Sequence, residues 1–323
     1  MSRVLAYFAA STLAVSSAAL LAQAPAAPQR GGGFALGAGM PPGGPAPQLD
    51  KLSLPPGFSI AVYAVNVPGA RSMTLGSDGT VFVGTRAQVV HAVVDRNHDF
   101  KADEVLTVAS GLTSPNGVAF KDGALYVAEI NRISRLDGVL DFAKVPGGAG
   151  PAPKQTILND KLPADRMHGW KYLSFGPDGL LYTQIGAPGN ILDPEFGKDK
   201  SCGDYAPPAF KMGPHVAALG LKFYTGTMFP AEYRKQLFIV NHGSWNRSAQ
   251  VSHTGYRIMI AKVQGSNVVS YEPFAQGFLQ TAEGAAVARQ AWGQPVDLLE
   301  LPDGSLLVSD DRAGAIYRIT YRR

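Results

Sequence analysis

His168 stands eight residues before Gly176, just ahead of the run Leu173-Ser174-Phe175-Gly176-Pro177-Asp178-Gly179. A neutral imidazole with a pKa of about 6.5 exchanges protons near neutral pH, which suits a general base; a hydrogen-bonded loop histidine is the plainer use of the same residue. A second group, His242, Trp245, Asn246 and Arg247, follows the apolar run Phe238-Ile239-Val240. Arg247 could grip a carboxylate in bidentate fashion and Trp245 could stack on a planar ring, or the turn could close a sheet with the indole as its plug. Gln294 and Asp297 lie in Trp292-Gly293-Gln294-Pro295-Val296-Asp297. A neutral amide at 294 hydrogen-bonds an anion without neutralising it. Asp95, Asn97, Asp99 and Asp103 space oxygen atoms as calcium loops do, but Phe100 replaces the usual glycine and Leu106 the closing carboxylate. That pattern fits a solvated acidic turn or a weak structural Ca²⁺.

These residues need elements to hold them. A phrase recurs at Gly76-Ser77-Asp78-Gly79-Thr80-Val81, Lys121-Asp122-Gly123-Ala124-Leu125, Gly176-Pro177-Asp178-Gly179-Leu180 and Pro302-Asp303-Gly304-Ser305-Leu306. Asp-Gly supplies the positive φ of a tight hairpin, and the apolar alternation that follows reads as a strand. Short strands also precede each turn: Ser72–Leu75, Gly117–Phe120, Tyr172–Phe175 and Val296–Leu299. Tyr233–Val240 is a degenerate copy that lacks the Asp-Gly pair. Repeats of this length built from short strands predict an all-β fold, a β-propeller with about five blades visible, rather than a β-sandwich.

Composition narrows the classes further. With 37 Gly and 24 Pro in 323 residues, an all-helical chain is excluded, while 46% hydrophobic residues supply a sizeable core. The 29 Lys and Arg are scattered, so nucleic acid is not an expected partner. Cys202 has no second cysteine with which to form a disulfide or a zinc cluster. Nucleotide-binding glycine loops, the Gly-x-Ser-x-Gly elbow and His-Glu-x-x-His are all missing from the sequence.

Residues 1–24 read as a secretory signal, with Arg3, an apolar Ala-rich run and the small-residue pattern Ala22-Gln23-Ala24. A retained anchor is the competing reading, because the apolar stretch borders on spanning length. Residues 25–50 are a Pro/Gly/Ala-rich linker, and residues 51–323 form the propeller domain. The expected location is periplasmic or secreted, with no stable membrane insertion after signal cleavage.

Leu54-Pro55-Pro56-Gly57-Phe58, Ser114-Pro115-Asn116-Gly117-Val118-Ala119-Phe120, His168-Gly169-Trp170-Lys171, His242-Gly243-Ser244-Trp245-Asn246-Arg247 and Pro302–Asp311 together resemble the bacterial sorbosone dehydrogenase group. That group is related to the soluble PQQ-dependent glucose and aldose sugar dehydrogenases, and the resemblance covers roughly residues 52–323. It implies a six-bladed periplasmic propeller with PQQ and Ca²⁺ as cofactors. His168 would then be the base that takes the sugar hydroxyl proton as hydride passes to the quinone, and Trp245, Asn246, Arg247, Gln294 and Asp297 would be cofactor contacts. The sequence departs from the family between Gly186-Ala187-Pro188-Gly189-Asn190 and Asp193-Pro194-Glu195-Phe196-Gly197, where relatives carry a further blade's worth of chain. In relatives that stretch holds a quinone-gripping arginine and the carbonyls that bind calcium. Gln294 is a second departure, at a position where relatives usually place arginine.

The expected function is oxidation of a sugar or aldehyde by a bound quinone, with an electron acceptor that the sequence does not identify. Two alternatives stand beside it: a non-catalytic propeller that binds carbohydrate or a partner after losing the cofactor blade, and a calcium-dependent lactonase using Asn116, Asn246 and Asp297 as oxygen ligands.

Overall fold

A computed structural model of the chain describes residues 44–185, 199–206, 208–245, 247, 251–280 and 290–322, all within the unit Gly39–Arg323. The signal segment, most of the linker, the landmarks at 186–190 and 193–197, and Asn246 lie outside the described residues. The strands run in order as β1 (Phe58–Ala64), β2 (Ala70–Leu75), β3 (Val81–Thr85), β4 (Val90–Val94), β5 (Glu104–Ala109), β6 (Gly117–Lys121), β7 (Ala124–Ala128), β8 (Ile133–Asp137), β9 (Lys154–Asn159), β10 (Leu173–Phe175), β11 (Leu181–Thr183), β12 (Ala218–Phe223), β13 (Leu237–Asn241), β14 (Arg257–Gln264), β15 (Asn267–Gln276), β16 (Pro295–Glu300), β17 (Leu306–Asp310) and β18 (Ala315–Tyr321). One short helix, α1 (Val139–Lys144), links β8 to β9.

The strands form antiparallel sheets in the meander order of propeller blades: β2-β3-β4-β5, β6-β7-β8-β9, β12-β13-β14-β15 and β1-β18-β17-β16, with β10-β11 as a two-stranded fifth sheet. The predicted turns fall where the sequence puts them. Asp78, Asp122, Asp178 and Asp303 each lie between the innermost strand of a sheet and the next, and Asp78, Asp178 and Asp303 accept the backbone N–H two residues on. In the degenerate copy Lys235 takes the left-handed conformation, with φ 61°, that Asp-Gly supplies elsewhere. Sequence periodicity does not reveal that β1 pairs along its length with β18, so the N-terminal strand completes the C-terminal sheet. A 3-10 turn at Leu49–Lys51 brings Leu49 and Leu52 against the core.

Apolar clusters join neighbouring sheets from β12–β15 round to β10–β11. Phe82, Val90, Leu125 and Val127 join the β2–β5 and β6–β9 sheets, and Val81, Val83, Leu307 and Ile316 join β2–β5 to the sheet closed by β1. Phe58 meets Phe229, Tyr233, Phe274 and Tyr321 edge-on at 4.8–5.0 Å, fixing β1 against the β12–β15 sheet. Each such side chain contributes about 1.5–3 kcal/mol when fully buried. The innermost strands pack in the sequence β12, β16, β2, β6, β10 around the centre. They come close enough to demand glycine: a Cβ on Gly84 would stand 2.3 Å from the Asn116 carbonyl oxygen, and one on Gly117 would stand 2.5 Å from that of Lys171. Among the described residues no helix is long and apolar enough to cross a membrane.

Candidate functional site

Polar side chains from all five sheets meet where the inner strands converge. Arg71 of β2 is 1% exposed; its Nη1 donates to Asp311 Oδ2 at 2.8 Å, its Nε donates to Asn116 Oδ1, and its guanidinium lies 4.2 Å from the centre of the Trp170 ring. Asp311, at the end of β17, also receives Arg86 Nη1 at 3.3 Å, and its Oδ1 lies 3.1 Å from His242 Nε2, which donates in the fitting tautomer. Asn116 passes the connection on, with its Nδ2 donating to the Lys171 carbonyl at 2.7 Å. Ser309 Oγ donates to the Arg71 carbonyl and Ser72 Oγ to that of Asn116, which pins the inner strands to one another. Burial would raise the Asp311 carboxyl, but the opposing pull of His242, Arg86 and Arg71 outweighs it and holds the group well below the usual carboxylate range.

A second layer surrounds this hub. Asp297 of β16 accepts the Met73 N–H at 2.9 Å, and burial pushes its carboxyl up to about 6 against the pull of that hydrogen bond and of nearby Arg71 and Lys222. Lys171 is fully buried, donates to the Gly169 carbonyl at 2.5 Å, and has its pKa lowered by desolvation. The Tyr172 hydroxyl is buried without a hydrogen-bond partner, and burial and then the Asp297 charge push its pKa up. An orphaned buried hydroxyl costs about 1–3 kcal/mol, which a bound polar group would relieve.

The residues singled out from sequence distribute unevenly. His168 is exposed in a left-handed turn, φ 55°, two residues before Trp170 at the hub. Of the segment 242–247, His242 joins the hub, Trp245 is 67% exposed rather than plugging the core, and Arg247 is half-buried. The turn is held rigidly: the Tyr256 hydroxyl donates to the Ser244 carbonyl at 2.6 Å, and His253 Nδ1 lies 2.8 Å from Ser244 Oγ. Gln294 donates its backbone N–H to Asp310 Oδ1 at 3.0 Å and is half-buried next to the Asp310–Asp311 turn. In the loop of Asp95, Asn97, Asp99 and Asp103, expected from its spacing to hold Ca²⁺, the side-chain oxygens are engaged by backbone N–H groups. Asp95 accepts the N–H groups of Asp99 and Phe100, Asn97 that of Asp99, Asp99 that of Lys101 and Asp103 that of Arg96. Among the described residues no three acidic, His or Cys side chains converge as a metal site. The loop is therefore a turn stitched by its own backbone. Asn116, considered as a calcium ligand, has both ends of its amide engaged by Arg71 and Lys171.

Sequence reasoning passed over Arg71 and gave no role to Trp170, Lys171 or Asp311. A signal was present, because Arg71, Asn116, Lys171 and Asp297 each precede a turn aspartate, at 78, 122, 178 and 303, by six or seven residues. That is one polar residue per repeat, facing the centre.

Fold and site together define a β-propeller whose blades meet at a polar hub. Its fold is similar to that of solved sugar-oxidoreductase propellers. A family model described as TrAA12-like matches residues 183–322. The Trichoderma reesei structure of carbohydrate-active enzyme family AA12 superposes with a TM-score of 0.64 at 12% identity, covering 88% of this chain and 99% of that one. The holo PQQ domain of pyranose dehydrogenase from Coprinopsis cinerea gives 0.63 at 14% identity, covering 86% and 99%. An uncharacterized protein of Borreliella burgdorferi is 26% identical over 361 aligned positions, which include 84% of this chain and 91% of the relative.

Proposed function

We propose that this protein is a quinone-dependent sugar dehydrogenase of the periplasm, resembling the sorbosone dehydrogenases and oxidising an aldose or sorbosone-like substrate. The observation that carries the reading is the five-sheet hub, in which Arg71, Arg86 and His242 converge on Asp311 beside Trp170 and the unsatisfied Tyr172 hydroxyl. An aromatic face, an orphaned hydroxyl and guanidinium groups that Asp311 already balances in part would suit a planar, anionic quinone such as PQQ. Arg247 and exposed Trp245, in the turn after β13, and Gln294, beside Asp310, would complete its hold. PQQ, when bound, supplies the two-electron acceptor for hydride. His168 would take the proton of the reacting hydroxyl; its exposure leaves it accessible to a sugar, and an imidazole suits that task at neutral pH. The donor set of the 95–103 loop does not fit Ca²⁺, so no calcium is assigned there.

One observation favours the non-catalytic reading: among the described residues the β10–β11 sheet has two strands where its neighbours have four. The alignment with the Borreliella relative spans 361 positions, more than the 323 residues of this chain, so the relative carries residues without a counterpart here. Titration of the protein with PQQ, followed by quinone absorbance with and without Ca²⁺, separates the readings. Stoichiometric binding, with dye reduction on aldoses or sorbosone that disappears in His168→Ala, is the expected result. A folded protein that takes up no quinone would replace the dehydrogenase with a binding propeller.

A further inference from the structure

The turn between β13 and β14 holds a histidine, His253, to which the proposed function gives no role. Ser244 is 2% exposed and gathers this turn around itself. Its N–H donates to the Thr254 carbonyl at 2.8 Å, its Oγ accepts the Thr254 N–H at 3.0 Å, and its carbonyl accepts the Tyr256 hydroxyl at 2.6 Å. The N–H groups of His242 and Gly243 donate to the carbonyls of Ala217 and Val216, and Thr254 Oγ1 donates to that of Pro214, so the loop leading into β12 clamps the turn. His253 is fixed on this frame. Its Nδ1 lies 2.9 Å from the Ser244 carbonyl oxygen and 2.8 Å from Ser244 Oγ. A carbonyl oxygen can only accept, so Nδ1 carries the ring proton and the neutral imidazole keeps its lone pair on Nε2. No described residue bonds Nε2, and unlike the two nitrogens of His91 it is not shut away from solvent. A histidine with one nitrogen tied to the backbone presents the other as an acceptor of fixed direction.

The group that this nitrogen recognises has to bring a proton donor. A metal ion would need further ligands, and among the described residues no three His, Cys, Asp or Glu side chains converge. An anion gives a lone pair nothing to accept. A hydroxyl fits, and the ring rests on Ser244, next in sequence to Trp245, whose indole is 67% exposed. An apolar ring face beside a directed acceptor suits a sugar, with its C–H faces and hydroxyl rim. We propose that His253 is a substrate-binding residue whose Nε2 accepts a hydroxyl of the sugar beside Trp245. The assignment rests on the sugar-oxidising reading for its ligand class, and it leaves the proton of the reacting hydroxyl to His168.

His253→Asn separates the two nitrogens, because the asparagine amide can still donate to the Ser244 carbonyl from the position of Nδ1 while nothing replaces Nε2. Calorimetric titration of the full chain with D-glucose, D-galactose, D-mannose and L-sorbosone, without quinone, reads the contact directly. At least one sugar should bind wild type, and His253→Asn should weaken it about three- to tenfold, the worth of one neutral hydrogen bond. Thermal unfolding and PQQ uptake of this variant should match wild type. Among monodeoxy derivatives of the bound sugar, one should bind wild type weaker by the same factor and lose nothing further in the variant. His253→Phe, which also drops the Nδ1 bond, should lose stability as well. Absence of sugar binding by wild type would overturn the proposal. Unchanged sugar affinity in His253→Asn would do the same, and so would a fall in its PQQ uptake, which would give Nε2 to the quinone. Failure of wild type to take up PQQ, with the sugar contact intact, would remove the dehydrogenase reading and leave this one standing.

Discussion

Replacing Asp311 with alanine tests whether the central hub is what ties the blades together. The carboxylate is fully buried and receives Arg71 at 2.8 Å, with Arg71 itself 1% exposed, so truncation leaves a guanidinium in the interior without its counter-ion. Removing one partner of a buried pair costs about 3–5 kcal/mol. The Asn116 oxygen and the Trp170 ring remain beside Arg71 and place the expected loss toward the lower end of that range. For a chain of this size each kcal/mol lowers Tm by roughly 2–4 °C, so a fall on the order of 10 °C is expected. Urea unfolding followed by circular dichroism gives the free energy, and Arg71→Met in the same background closes a double-mutant cycle. Arg71→Met/Asp311→Ala should be more stable than Asp311→Ala alone, because the orphaned charge has gone. The pH dependence supplies a second readout. A carboxyl held below its unfolded value of about 3.9 contributes fully above that pH, and its contribution is lost as pH falls toward the folded value; the gap between wild type and variant should therefore shrink below about pH 4. A loss under about 1 kcal/mol, or strict additivity with Arg71→Met, would refute the reasoning.

Two further outcomes follow from buried titratable groups. His91 of β4 is 7% exposed, neither ring nitrogen has a hydrogen-bond partner, and burial lowers its pKa, so the unfolded chain binds the extra proton as pH falls through about 6.5. Wild type should lose stability from pH 7 to 5, and His91→Leu should remove part of that slope in parallel melts. Asp297 behaves in the opposite sense: with its folded pKa pushed up to about 6 by burial, its ionisation penalises the native state increasingly as pH rises from about 4 through 6. Asp297→Asn should therefore gain stability relative to wild type at pH 7 and lose that advantage by pH 4, as melts across the range would record.

Local chemistry determined much of this molecule. The Asp-Gly turns at 78, 122, 178 and 303 and the apolar runs on either side of them were legible because a hairpin turn needs positive φ and a half-buried strand needs alternation, and both are properties of a few adjacent residues. His242 was legible as part of a polar-aromatic turn. The oxygen spacing at 95–103 was legible too, but spacing cannot say whether an oxygen faces an ion or the next backbone N–H, and the fold directs these inward. The hub lay beyond sequence, since Arg71 and Asp311 are 240 residues apart and each reads alone as an ordinary surface charge. Their meeting depends on glycines that let the inner strands approach, and on β1 returning to pair with β18. Repeats announce how many sheets there are. Only packing in three dimensions decides which polar residue of each repeat reaches the centre.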